Sequence, residues 1–195
     1  EIREARTRAA VSVILNLLLA LGKGIAGVAG NSSALLADAI HSATDVVASA
    51  AAFIGLWLAG KQHPAFPYGL YKAETLATLV TSGAVILAGY EIGRRAILGP
   101  DTLPDVGLAL PVALISLIIA VGFGFYQLYS GRRLRSKALE ADARDYLADA
   151  LSTAVVVISL IGSYFGLRVD RWAAGVVAIF IFSAGGQLLW HALRD

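Results

Sequence analysis

Long apolar runs alternate with short polar breaks along the whole chain. The runs cover roughly 9–29, 33–59, 73–96, 107–129, 140–166 and 172–190. A helix needs ~20 apolar residues to cross ~30 Å of hydrocarbon, and each run is about that long. The breaks carry turn chemistry: Gly-Asn-Ser-Ser at 30–33, a stretch with Pro64 and Pro67 at 60–69, a Gly- and Pro-bearing stretch at 99–105, and Gly166 with Asp170 before the last run. Pro111 falls near the start of the fourth run, where a missing N–H costs least. The pattern predicts an all-α integral membrane protein, a bundle of six transmembrane helices that uses residues 1–195 as one domain. The runs are too many and too long to be a cleaved signal peptide.

Composition sharpens this reading. The chain has 195 residues, 57% hydrophobic and 15% charged, where a soluble domain carries about 25% charged residues. Mean hydropathy is +0.71. Cysteine is absent, which removes disulfides and thiolate metal sites. Methionine is absent too, so Glu1 is not expected to be a native start and the chain is expected to be a segment of a longer one. The net charge of +2 matters less than its distribution. Arg3, Arg6, Arg8, Lys61, Lys72, Arg132, Arg133, Arg135, Lys137 and Arg194 would share one side of the membrane, against Arg94, Arg95, Arg168 and Arg171 on the other. By the positive-inside rule this predicts cytoplasmic N and C termini. The basic loop at 131–137 is read as that topology signal; it is short and has no interleaved aromatics, so no nucleic-acid partner is expected.

Two of the apolar runs contain what a bilayer should exclude. "ADAIHSATD" at 37–45 and "ADARDYLAD" at 141–149 share an opening Ala-Asp-Ala and a closing Asp. An ionisable side chain at the centre of a membrane helix costs roughly 2.5–3.5 kcal/mol even on the lenient insertion scale, so each needs a partner or a function. Asp38, His41 and Asp45 are spaced i, i+3 and i+7, as are Asp142, Asp145 and Asp149; at about 3.6 residues per turn each set lies within an arc of ~60°. From Ser33 to Asp45 the rise is about 18 Å and from Ala141 to Asp149 about 12 Å. Measured from opposite faces, these depths let Asp45 and Asp149 meet near one level. One imidazole and three carboxylates in a water-poor space point to a divalent cation, with the i, i+4 pairs His41/Asp45 and Asp145/Asp149 supplying four ligands. The competing reading is an interhelical ion-pair network, for which Lys23 on helix 1 and Arg144 are the available cations.

The stretches "SSALLADAIHSATDVVAS", "HPAFPYGLYKAETLA" and "LEADARDYLADALST" together resemble the cation diffusion facilitator family over essentially the whole chain. The resemblance implies six transmembrane helices and a secondary transporter that exports a divalent metal, in exchange for protons, from a prokaryotic inner membrane. It implies metal ligation by His41, Asp45, Asp145 and Asp149, with Asp38 and Asp142 lining the access routes or standing behind the ligands. The transported ion would be Zn2+, Mn2+, Fe2+ or Co2+, with no prosthetic group, and the remaining partners would be protons, the lipid bilayer and a second copy in a homodimer.

Several features depart from the family pattern. The order His-x-x-x-Asp then Asp-x-x-x-Asp differs from the usual zinc-type pairs, and Asp-x-x-x-Asp on helix 5 is the manganese-type arrangement. Leu70 stands where many members have a histidine, which argues against a second metal site near His63. The chain stops at Asp195, before the family's usual cytoplasmic domain, and its 131–137 loop lacks a histidine-rich insertion. The alternatives are a membrane-embedded metal-dependent phosphotransferase or a structural membrane protein. Against the former, Ala143 and Leu147 stand where a CDP-alcohol phosphotransferase motif needs glycines, and there is no His-Glu-x-x-His or Gly-x-Ser-x-Gly. Small residues such as Gly24, Gly27, Gly89, Gly93 and Gly185 are read as close helix contacts within one bundle, with a subunit interface as the alternative. Glu91 is expected to pair with Arg94 or Arg95, Lys72 with Asp195, and His191 to lie at the bilayer edge.

Overall fold

The computed structural model describes residues 2–59, 71–99, 103–133 and 137–194, with side chains over 11–47, 79–99, 103–133, 139–187 and 189–190. His63, Leu70, His191 and the Lys72–Asp195 pair lie outside the described residues and side chains. Six helices follow one another: α1 (Ile2–Ala29), α2 (Ser33–Ala59), α3 (Tyr71–Leu98), α4 (Val106–Arg133), α5 (Lys137–Tyr164) and α6 (Asp170–Arg194). No strand occurs among the described residues. Among them, Val11–Ala29, Val106–Arg133 and Leu139–Tyr164 are long and apolar enough to cross a bilayer. The protein is an all-α membrane protein.

Turn chemistry reverses the chain at one end of the bundle. After α1, Asn31 takes a left-handed φ of 49°. The amide of Ser32 then reaches the Gly27 carbonyl at 2.9 Å, and that of Asn31 reaches Val28 at 3.2 Å. This is the double bond that closes a helix C-terminus. Gly166, at φ 82°, does the same after α5, with Leu167 donating to Gly162 and Gly166 to Ser163. Asn carries the left-handed turn in one case because its short side chain tolerates that region. The Asp105 amide donates to the Gly30 carbonyl at 2.7 Å, which ties the entry of α4 to the first turn.

Asp170, the first residue of α6, caps a different helix. Its carboxylate accepts from the Ser33 amide at 2.7 Å, the Ala34 amide at 3.2 Å and the Ser32 hydroxyl at 2.7 Å. Ser32 Oγ meanwhile accepts from the Leu35 amide. A buried anion at the N-terminus of α2 satisfies orphan N–H groups and complements the helix dipole. At the same end, Arg171 donates to the carbonyls of Ala96 and Ile97 at the C-terminus of α3, and Glu91 pairs with both Arg94 and Arg95 on the exposed face of α3. Pro111 falls in the second turn of α4 rather than at its very start, so one backbone bond to the carbonyl four residues earlier is forfeited.

The most extensive pairings are α4 with α5, α3 with α6, and α1 with α2, while α2 also meets α3, α6 and α5. Small residues set these distances. A Cβ on Gly27 would sit 2.8 Å from the Leu36 amide nitrogen, and one on Gly131 2.9 Å from that of Glu140. Gly89 and Gly185 lie against Ile181 and Ile86 across the α3–α6 contact, so the stretch that could have served a subunit interface is used inside the bundle. The apolar core contains Leu35, Val85, Val156, Leu160, Val177 and Ile181. α5 is central and α4 peripheral: within the apolar stretch of each helix, 56% of the α5 residues are buried against 22% of the α4 residues. The outward faces carry Ile25, Leu87, Ile118, Ile158 and Ile179, all exposed to the surroundings, which in a membrane protein is the lipid-facing surface.

Candidate functional site

The polar stripes of α2 and α5 face each other across the middle of the bundle. The close α1–α2 crossing at Gly27 brings α1 against the same stripe one turn further on, and there α1 presents Lys23. The register of α2 against α5 is antiparallel. Ser42 Oγ donates to Asp149 Oδ1 at 2.6 Å, and Thr153 Oγ1 donates to Asp38 Oδ2 at 2.8 Å. Asp149 is therefore level with Ser42. Asp45, nearly one turn further along α2, falls between the levels of Asp145 and Asp149.

Lys23 occupies the centre of this arrangement and is fully buried. Its Nζ lies 3.1 Å from Asp38 Oδ2, 3.0 and 3.2 Å from the two Asp149 oxygens, 2.8 Å from Ser42 Oγ and 3.2 Å from Thr153 Oγ1. Ser152 Oγ also donates to Asp38 Oδ1, at 2.5 Å. An ammonium bridging two enclosed carboxylates, with hydroxyls on the remaining lone pairs, is what charges in a low-dielectric interior require.

The four expected ligands fall into two kinds. His41 and Asp149 are buried, Asp45 is half-buried and Asp145 is exposed. His41 Nε2 is 3.9 Å from Asp45 Oδ2, too long for a hydrogen bond. His41 Nδ1 is buried without a hydrogen-bond partner among the described residues. Asp45 lies within Coulombic reach of His41, Asp149 and Asp145. Among the described residues no three His, Asp or Glu side chains form a ready-made cation cage. Both Asp149 oxygens are instead bonded to the Lys23 ammonium, at 3.2 and 3.0 Å. The donor set itself fits a divalent ion: an orphaned imidazole nitrogen and carboxylate oxygens at the edge of a polar cluster.

Asp38 is fully enclosed by Lys23, Ser152 and Thr153. Asp142 lies at the other end of the α5 stripe, where it accepts from Ser12 Oγ at 2.6 Å and Gln127 Nε2 at 2.7 Å. It thereby ties α5 to α1 and α4. One turn along, Tyr146 reinforces that tie by donating to the Ser12 carbonyl at 2.6 Å. The hydroxyl partners were not singled out from the sequence, although a signal was present. Ser42 stands four residues after Asp38, and Thr153 four after Asp149, on the same helix faces. Gln127 and Ser12 carry no such local signal, since α4 and α1 reach Asp142 only through tertiary packing.

Comparison with known proteins agrees with this architecture. A family model described as the cation efflux transmembrane domain matches residues 9–195. The manganese efflux system protein MneP of Bacillus subtilis is 32% identical, over 95% of this chain and 66% of its own length. An uncharacterized transporter of Methanocaldococcus jannaschii is 31% identical, over 93% of this chain and 65% of its own. The cation-efflux pump FieF of Serratia proteamaculans is 29% identical, over 98% and 63% respectively. The chain thus spans about two thirds of the length of the relatives it matches.

Proposed function

The chain belongs to the cation efflux transmembrane-domain family, and on that premise we propose that it exports a divalent transition-metal cation from the cytoplasm in exchange for protons. The site is formed by α2 and α5, with His41, Asp45, Asp145 and Asp149 as ligands. The observation that supports it most directly is His41: its Nδ1 is buried without a hydrogen-bond partner among the described residues, and its Nε2 lies 3.9 Å from Asp45 Oδ2. A buried ring nitrogen left open in this way is costly, and a cation bound at the imidazole would relieve it.

The exchange follows from the ligands' chemistry. Carboxylates and a neutral imidazole bind metal only when deprotonated, so loading expels protons and proton entry expels metal. Three carboxylates against one divalent ion leave an excess negative charge that a retained proton can offset. Exposure of the site to each face in turn, by rocking of the helices around it, gives transport. The direction is outward, in keeping with the cation efflux family and with relatives named as efflux proteins. Manganese(II) is the first candidate for the cargo, because hard oxygen donors dominate the set and MneP, a relative, is a manganese efflux protein.

The test is manganese(II)-driven proton flux in proteoliposomes, followed with a pH-sensitive dye, for the parent chain and for Asp45→Ala and Asp149→Ala. Each variant should insert normally and lose flux. Flux at the parental rate in either one removes that residue from the site. The Lys23 bridge favours a second reading, a purely structural network; on that reading, Asp149→Asn lowers stability and leaves metal uptake intact.

A further inference from the structure

Lys23 is the charged group that the four-ligand reading leaves without a task. Resting on that reading, we propose that Lys23 is a tethered counter-cation of the transport site: its ammonium holds Asp149 in the metal-free state and yields that carboxylate to the arriving divalent ion.

The geometry favours a swap rather than a permanent pair. An ammonium has three N–H donors, and five oxygens lie within 3.2 Å of Lys23 Nζ. Two of the five belong to Asp149. If Asp149 turns away, the three that remain are Asp38 Oδ2, Ser42 Oγ and Thr153 Oγ1, one for each N–H. The lysine stays protonated and stays paired with Asp38, so the departure of Asp149 strands no buried charge on α1 or α2. The hydroxyls have alternatives as well. Ser42 Oγ, which now donates to Asp149, also lies 3.1 Å from the Asp38 carbonyl. Thr153 Oγ1 lies 2.9 Å from the Asp149 carbonyl. Every group around Lys23 therefore has a second partner already within reach. No bond forms or breaks covalently: one carboxylate exchanges an ammonium for a metal ion.

Asp149 lies at the boundary between two demands. It is bonded to Lys23, and Asp45, with His41 beside it, lies within Coulombic reach. Metal and lysine thus compete for one anion. The competition supplies an occupant for the unloaded site, and it sets a threshold that a monovalent ion or a weakly bound metal does not pass, since the ion must outbid a charge already in contact.

The experiment is calorimetric titration of the full chain in detergent with manganese(II) chloride and with zinc(II) chloride. Lys23→Met alone leaves Asp38 buried and unpaired, so it is accompanied by the charge-balanced double variant Lys23→Met/Asp38→Asn. Loss of the competitor should lower Kd for both metals by roughly tenfold, within the ordinary span of coupling between sites. Lys23→Arg, which keeps the charge, should retain the weaker parental Kd. Parental or weaker binding in the double variant overturns the proposal, because a purely structural lysine gives no reason for metal to bind more tightly. Asp149→Asn is the separate arm. If it leaves metal binding unchanged, the four-ligand reading itself fails; if it abolishes binding while the Lys23 variants match the parent, only the role of Lys23 fails.

Discussion

Lys23 Nζ and Asp149 Oδ2, 126 positions apart in the chain, are 3.0 Å apart at the centre of the bundle. The ion pair joins α1 to α5 through a point where both side chains are almost wholly enclosed. Asp38 shares the same ammonium at 3.1 Å. These three residues form one enclosed ionic cluster, and they identify which substitutions should act on stability and which on transport.

Asp38→Ala should be the most destabilising change in the cluster. It removes one of the two carboxylates on Lys23 and leaves the Ser152 hydroxyl without its acceptor, while Thr153 keeps the Asp149 carbonyl. An unsatisfied buried donor costs about 1–3 kcal/mol, and the lysine is left with Asp149 as its single charge partner. The thermal midpoint in detergent should fall accordingly, and Asp38→Asn should fall less, because an amide oxygen still accepts. If Asp38→Asn instead loses metal binding at parental stability, Asp38 is itself a ligand.

Asp170→Ala should weaken the bundle at the N-terminus of α2. The Ser33 and Ala34 amides and the Ser32 hydroxyl lose their shared acceptor. Loss of a cap costs about 0.5–2 kcal/mol and an unsatisfied buried donor about 1–3 kcal/mol. A lower midpoint with an unchanged metal Kd is the expected pair of results. A changed Kd at the parental midpoint would mean that the α2 N-terminus is coupled to the ligands.

Two glycines on α1 should respond in opposite directions to the same substitution. A Cβ on Gly27 meets the Leu36 backbone at 2.8 Å, whereas a Cβ on Gly22 has open space. Gly27→Ala should cost about 1–3 kcal/mol through overpacking. Gly22→Ala should gain up to about 1 kcal/mol of helix propensity. Thermal midpoints of the two variants decide the matter, and equal shifts would mean that the α1–α2 crossing is looser than the contact distance implies.

Asp145→His addresses selectivity. It exchanges a hard anionic oxygen for a borderline neutral nitrogen at an exposed position on α5, and keeps the i, i+4 relation to Asp149. Preference should move toward zinc relative to manganese. Competition between the two ions in proteoliposomes measures it. An unchanged ratio with transport intact would place residue 145 away from the ion, leaving Asp149 as the sole ligand from α5.

Six helices, their order and the two acidic stripes were legible in the chain because they depend on local periodicity. An apolar run of sufficient length forms a helix in lipid whatever its neighbours are, since every backbone group must find its partner within the segment. The i, i+3, i+7 spacing then puts Asp38, His41 and Asp45 on one face without reference to any other helix. α1 begins at Ile2 rather than near residue 9, and α5 ends at Tyr164 rather than 166. Hydropathy marks the lipid-embedded part of a helix, and capping bonds mark its end. What needed the tertiary structure was the pairing of charges between helices. Depth arithmetic put Asp149 level with Asp45, but the bond from Ser42 sets it nearly one turn away, and Lys23 on α1 bonds it there. A sequence shows which face of a helix is polar. The crossing distance at Gly27 and the register of α2 on α5 decide which polar atoms touch, and both arise from side-chain contacts between segments far apart in the chain.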